Sequence, residues 1–367
     1  MRITNPFNQI SHRARSRISL LPLTAICLLT STLIAADPHA RDWKQFPAIV
    51  ELDTTQNIYA IGDIHGDYDT LVDLLAGAQI IPKIPKDPQD IQWSAGKSIL
   101  VCTGDLIDRF DQSLQVIAAV RTLQTQAAKA DGRVIITLGN HEAVFLEFAG
   151  KDKINEEFAA ELKSAKISPK DLAAGHDAEG IGQFLLNLPA GARINDWFFC
   201  HAGNTHALTI KQLTDQIQTG VDTKGFAAPI LSDPDSILQA RMHPRPWWEA
   251  ADSPALKTLK PHDPAQVAAT EKHLRDAVTA LGVNHLVFGH QPGEVTFADK
   301  SHRQPDQMFT KFDGLIFMID TGMSRGVDNG PPAILKIQQT PNANTAYLIT
   351  ASGKSQLLWS PKDNPQN

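Results

Sequence analysis

The feature that most constrains this 367-residue chain is one event repeated five times: a short apolar run ends in a carboxylate, amide or imidazole flanked by glycine. The five stretches are NIYAIGDIHG (57–66), SILVCTGDLIDR (98–109), RVIITLGNHE (133–142), WFFCHAG (197–203) and NHLVFGH (284–290). Runs of this length, rich in Ile, Val and Phe, suit strands covered on both faces. Between the first three lie DYDTLVDLLAGAQ (67–79) and SLQVIAAVRTLQTQAAKA (113–130), whose apolar positions recur at helical spacing. Strand, helix, strand, helix, strand predicts a parallel βαβαβ unit with right-handed crossovers.

In a parallel sheet the carboxyl ends of adjacent strands open on one crevice. The pattern therefore predicts that Asp63, His65, Asp105, Asn140, His201 and His290 meet, with glycines beside them for sharp turns and close approach. Imidazole mixed with oxygen donors suits manganese, zinc or iron. Six ligands are too many for one tetrahedral ion and enough for two ions sharing a carboxylate. A two-metal site clamps the attacking and leaving oxygens of an in-line phosphoryl displacement.

Composition excludes several classes. With 42% hydrophobic and 20% charged residues the chain is an ordinary globular protein, and a net charge of −6 gives no footprint for nucleic acid. Arg13, Arg15 and Arg17 precede LLPLTAICLLTSTLIAA, an uncharged run followed by small residues at Ala35 and Ala36. This reads as an export signal over 1–36, an uncleaved anchor being the alternative. Four arginines and no acid leave with it, so the remaining chain carries −10 and has no reason to hold to anionic membrane. The expected location is periplasmic or secreted. Cys102 and Cys200 lie in apolar strand-like runs and read as buried free thiols rather than a disulfide.

The organisation expected is a lead-in (37–56), one catalytic domain (57–350) with a helical cap inserted at about 143–190, and a tail (351–367). The strands GLIFMIDTG, AILKIQQ and TAYLITAS are expected as a closing antiparallel meander.

GDIHG, GDLIDR, GNHE, HAG and FGH, in that order, resemble the calcineurin-like metallophosphoesterases, and within them the phosphoprotein phosphatases. FLLNLPAGARINDWFFCHAGN, SILQAR and IDTGMSRGVDNG look like the bacterial, Shewanella-like branch, the likeness running from about Asn57 to about Gln338. The resemblance implies an α/β fold, a sandwich of mixed β-sheets flanked by helices. It implies Asp63 and His65 on one metal, Asp105 bridging, and Asn140, His201 and His290 on the other, with a bridging hydroxide as nucleophile. It makes His141 the general acid, Asp108 its orienting partner, and Arg109 and Arg241 the phosphate arginines, with Arg245 as substitute for Arg241. Asn140 would also touch phosphate, and Glu142 would cap or support the site. Phe110 stands where the family has glycine, and Gln291 where the branch has threonine.

The implied activity is a dinuclear-metal phosphomonoesterase acting on phosphorylated protein or peptide, at Ser/Thr or Tyr, or on a small phosphoester. A symmetrical dinucleoside tetraphosphatase or other nucleotide phosphohydrolase is the alternative. A non-catalytic metal- or phosphate-binding exported protein is a third reading, disfavoured because binding alone needs no oriented acid. The remaining histidines read as surface or core residues, Trp247–Trp248 as loop packing, and Asp67, Asp69 and Asp73 as a solvated face.

Overall fold

A computed structural model describes residues 41–242, 264–340 and 343–361. The export signal, Arg245 and Trp247–Trp248 lie outside the described residues. Among the described residues no helix is long and apolar enough to cross a membrane.

The predicted βαβαβ unit forms as β2 (Ile58–Ile61), α1 (Tyr68–Gly77), β3 (Ile99–Cys102), α2 (Ser113–Lys129) and β4 (Arg133–Ile136), all three strands parallel. The helix α3 (Asn140–Phe148) follows at once, so the region expected as a cap begins inside it. That region continues with α4 (Glu156–Ser164) and short helices at Pro169–Ala173 and Ile181–Leu186.

The five site-bearing strands do not share one sheet. Writing β1 for Ile49–Leu52, β5 for Gly191–Ile194, β6 for Trp197–Cys200, β7 for His285–Phe288, β10 for Phe309–Lys311 and β11 for Ile316–Met318, one sheet runs β1-β5-β6-β7-β11-β10. With β12 (Ala333–Gln339), β13 (Asn344–Thr350) and β14 (Ser355–Trp359), the other runs β14-β13-β12-β2-β3-β4. A two-stranded ribbon pairs β8 (Val295–Thr296) with β9 (His302–Arg303). The fold is thus a sandwich of two mixed sheets flanked by helices, as the resemblance implied.

Alternation along each strand builds the layers. Ile58, Ala60, Ile99 and Val101 of one sheet join Trp197, Phe199, Val287 and Phe317 of the other in one buried cluster between the sheets. Their neighbours Ile61, Leu100, Cys102, Phe198, Cys200 and Phe288 face the helix-bearing side. Cys102 and Cys200 are buried and unbridged, and burial pushes both thiols up to about 12.

Four expectations need correction. GLIFMIDTG leaves the closing meander: β11 pairs parallel with β7 in the opposite sheet, and only β12, β13 and β14 run as a meander, β12 antiparallel to β2. The lead-in contributes β1, which pairs parallel with β5, and the presumed tail contributes the edge strand β14. Asp67 is not solvated. It is fully buried, caps α1 by accepting from the Thr70 amide at 3.1 Å, and pairs with Arg325 at 2.6 Å.

Candidate metal centre

Each strand ends where its last apolar side chain is fixed, and the next residues carry the polar groups. Asp63 follows β2, Asp105 follows β3, Asn140 follows β4, and His201 and His290 follow β6 and β7. The two sheets thus aim their ends at each other. Glycine makes room: a Cβ on Gly139 would lie 2.1 Å from Asp105 Oδ1, and one on Gly289 would lie 2.3 Å from Asp63 Oδ1. The site residues themselves take the left-handed conformation, with φ of 46° at His65, 49° at Asp105, 67° at Asp108, 66° at Arg109 and 73° at His290. Such backbone persists only where its surroundings over-determine it.

The hydrogen bonds fix which ring nitrogens face inward. His65 Nδ1 donates to the Ile107 carbonyl at 3.1 Å and His201 Nδ1 to the Thr103 carbonyl at 2.9 Å. Both rings therefore turn Nε2 toward the centre. His65 Nε2 lies 3.5 Å from Asp105 Oδ2 and 3.8 Å from Asp63 Oδ2. His201 Nε2 has Asn140 Oδ1 at 2.9 Å, His290 Nδ1 at 3.0 Å and Asp105 Oδ2 at 3.4 Å. One proton cannot serve three such neighbours, whereas one cation can. The buried His290 Nε2 has no hydrogen-bond partner among the described residues. Ligand atoms of Asp63, Asp105, His201 and His290 lie within 4.8 Å of one another, as do those of His65, Asp105 and His141. The donor set fits two ions of the manganese, zinc or iron type.

Without cations the cluster is electrostatically divided. Burial, then Asp320 and Asp105, push the Asp63 carboxyl well above its usual range. Burial opposes ionisation of Asp105 too, but His201, His141 and His65 hold it well below. His201 rises to about 9 because Asp105 and Asp63 outweigh its burial, while burial takes His65 down to about 3. Cations between these groups would remove the conflict.

His141 sits beside this cluster. Its Nδ1 is 3.0 Å from Asp108 Oδ2, its amide donates to Asp105 Oδ1 at 3.0 Å, and its Nε2 is 4.0 Å from Asp105 Oδ2. Glu142 meets the expectation of a supporting residue: Oε2 accepts from the Gly139 and Asp105 amides at 3.0 and 2.9 Å, and Oε1 from Leu106 at 2.7 Å. Arg109 is exposed beside His65, its guanidinium without a hydrogen-bond partner among the described residues. Arg241 is also exposed and donates to the His290 carbonyl at 3.2 Å. Phe110 lies under the Arg325 guanidinium at 4.3 Å. The Gln291 side chain accepts from the Met242 amide at 2.5 Å, tying the arginine-bearing segment to the histidine loop. His285 is a satisfied core residue, stacked on Trp197 at 3.9 Å.

Sequence reasoning missed Asn155. Fully buried, it donates from Nδ2 to Asp108 Oδ2 at 2.6 Å and to the His141 carbonyl at 3.1 Å, while the Phe158 amide donates to Asp108 Oδ1 at 3.1 Å. An asparagine opening a charged helix carries no local signal of this role.

The calcineurin-like phosphoesterase family matches residues 56–294, and the chain belongs to it. The family uses a dinuclear divalent metal centre, and the protein is a metal-dependent phosphatase hydrolase. An uncharacterized protein of Schizosaccharomyces pombe is 28% identical over 82% of each chain. Shewanella-like protein phosphatase 1 of Plasmodium berghei is 25% identical over 75% of this chain and 69% of its own. A symmetrical bis(5'-nucleosyl)-tetraphosphatase of Cronobacter sakazakii is 38% identical, over 25% of this chain and 26% of its own. In three dimensions the cold-active protein-tyrosine phosphatase of a psychrophilic Shewanella species superposes with a TM-score of 0.60 at 21% identity, covering 85% of this chain and 82% of that one.

Proposed function

We propose that this calcineurin-like phosphoesterase is an exported phosphomonoesterase that acts on phosphorylated proteins or peptides. The observation that carries the reading is the Asp108–His141 pair set against the inward-facing cluster of Asp63, His65, Asp105, Asn140, His201 and His290. Asp63 and His65 would hold one ion, Asn140, His201 and His290 the other, and Asp105 both. When bound, two such ions supply an activated water near neutral pH and offset charge on the phosphoryl oxygens.

The chain's own groups do the rest. The exposed Arg109 offers a planar fork to two phosphate oxygens, and Arg241 approaches from the other sheet. As the activated water, one proton already lost to solvent, bonds through its oxygen to phosphorus, the bond to the leaving oxygen breaks and its electron pair stays with that oxygen. His141 then gives that oxygen the proton on Nε2, while Nδ1–H remains on Asp108. Asn155 and the Phe158 amide hold Asp108 so that the ring cannot turn away. The arginine-rich, apolar N-terminus supports export. The relatives named as protein phosphatases support a phosphoprotein or phosphopeptide substrate.

The test is to strip the protein with chelator, restore manganese, zinc or iron singly, and compare rates on phosphotyrosine peptide, phosphoserine peptide and diadenosine tetraphosphate. Metal-restored peptide turnover, absent in Asp105→Asn, is the expected result and assigns Tyr or Ser. Turnover of the dinucleotide alone would move the substrate to the class named for the Cronobacter relative.

A further inference from the structure

Arg303 is fully buried, yet it makes no ion pair within 4 Å among the described residues. Its guanidinium is spent on backbone. Nε donates to the Gln307 carbonyl at 2.8 Å. Nη1 donates to the carbonyls of Gln291, Pro292 and Gly293 at 2.9, 2.9 and 2.6 Å, and Nη2 to that of Asp320 at 2.5 Å. Burying a cation is costly, and burial lowers its pKa to about 10. A cation kept there marks a place whose backbone must be held.

That backbone is the loop leaving His290. With φ of 73°, His290 needs restraint on both sides. On its own amide the restraint is Asp63, whose two carboxylate oxygens accept at 3.0 and 3.1 Å. On the following residues it is Arg303, which gathers three successive carbonyls. The fifth bond ties this loop to Asp320, whose backbone lies so close to Gly62 that a Cβ there would be 2.9 Å from the Asp320 Cα. Through Gln291 the same loop holds Met242 and so the segment bearing Arg241.

We propose that Arg303 is a positioning residue for the metal centre: by clamping residues 291–293 to Asp320, it aims the His290 imidazole at the ion it would ligate. The proposal rests on the reading of His290 as a metal ligand.

Arg41 provides a matched control. It is likewise largely buried, its pKa likewise lowered to about 10 by burial, and it likewise gives five bonds to backbone carbonyls, of Phe46, Pro47, Leu186, Asn187 and Leu188. None of these belongs to the metal centre. The experiment titrates chelator-stripped wild type, Arg303→Lys and Arg41→Lys with manganese alone, by calorimetry and by the metal-induced rise in Tm. Arg303→Lys should bind the weaker of two ions ten- to a hundred-fold less tightly, the range seen when partners of metal ligands are lost. Arg41→Lys should lose thermal stability but bind within twofold of wild type.

Unchanged binding in Arg303→Lys, or equal weakening in both variants, overturns the proposal. Wild type that takes up no ion overturns the metal reading itself, which is a different failure. Should Arg303→Lys not fold, Arg303→Gln is titrated in the same way. Should that also fail, hydrogen exchange of metal-free wild type decides: the Gln291 and Gly293 amides, in the segment whose carbonyls Arg303 holds, should exchange slowly, and fast exchange overturns the clamp.

Discussion

The two sheets contribute unlike chemistry to the same place. The sheet ending in β2, β3 and β4 supplies every oxygen donor, Asp63, Asp105 and Asn140, with one imidazole, His65, whereas the sheet ending in β6 and β7 supplies imidazoles alone, His201 and His290. They also differ in how their loops are held. The oxygen side is self-tied: the Asp105 carbonyl accepts from the Ile64 and His65 amides at 3.0 and 2.8 Å, and Glu142 gathers the amides of Gly139, Asp105 and Leu106. The imidazole side is held from outside, by Asp63 across the gap and by Arg303 behind. A side tied by its own motifs to one another needs only those motifs. A side tied by a residue outside the motifs can be aimed independently, and it fails when that residue is lost.

The largest break in this comparison is Asp105→Asn, because Asp105 faces histidines of both sheets. Turnover should fall by at least about 10³-fold, beyond the 10- to 100-fold expected for residues that only support ligands, with the circular dichroism spectrum unchanged. Initial rates on a phosphopeptide check this, and surviving activity would remove Asp105 from the centre. Next comes His141→Ala. Loss of a general acid costs about 10²–10⁴-fold on a substrate with a poor leaving group. The loss should shrink sharply on p-nitrophenyl phosphate, whose leaving oxygen needs little protonation. An equal loss on both substrates would assign His141 another role.

Asn155→Ala isolates the part played by the inserted helices on the oxygen side. It removes a buried bond to an ionised group, worth about 1.5–3 kcal/mol. The expected result is a rate lowered about tenfold together with a shifted pH–rate profile. A fall in Tm with an unmoved profile would make Asn155 purely structural.

The smallest effect concerns Glu161 of α4, which accepts from the Leu114 amide at 3.2 Å, at the start of α2. Burial outweighs its backbone and Ser113 bonds and pushes its carboxyl up to about 7 from 4.5. A carboxyl raised in the fold stabilises most below its unfolded value, and that contribution is lost as pH rises from about 4.5 through about 7. Wild type should therefore lose about 1–2 kcal/mol relative to Glu161→Gln between pH 5 and pH 8, allowing for solvent screening of a half-buried group. Thermal melts at the two pH values read the difference, and a constant gap between the proteins would refute it.

The same contrast explains what is legible in the sequence alone. The strand ends on the oxygen side were legible because apolar run, glycine and ligand are contiguous, and the parallel βαβαβ order followed from spacing alone. The separation into two sheets came only with the family resemblance, since β6 and β7 carry the same local pattern as β2 and β3. Edge strands of four or five residues, β1 and β14, read in sequence as lead-in and tail because they show too few alternations to stand out. Asp67 looked solvated because its partner, Arg325, lies 258 residues away. Asn155 and Arg303 stand outside every motif, and their partners, backbone atoms and a carboxylate, come within reach only on folding.

Cys102 closes β3 in one sheet and Cys200 closes β6 in the other, each thiol buried and raised to about 12. A buried, protonated thiol is inert to alkylating reagents until the structure around it opens. In a chain beginning at Asp37, without Cys27, the two alkylation rates become separate clocks, one timing the opening of the oxygen side and the other that of the imidazole side. Manganese that braces both sheets should slow both clocks, whereas an ion gripped by one sheet alone would slow one.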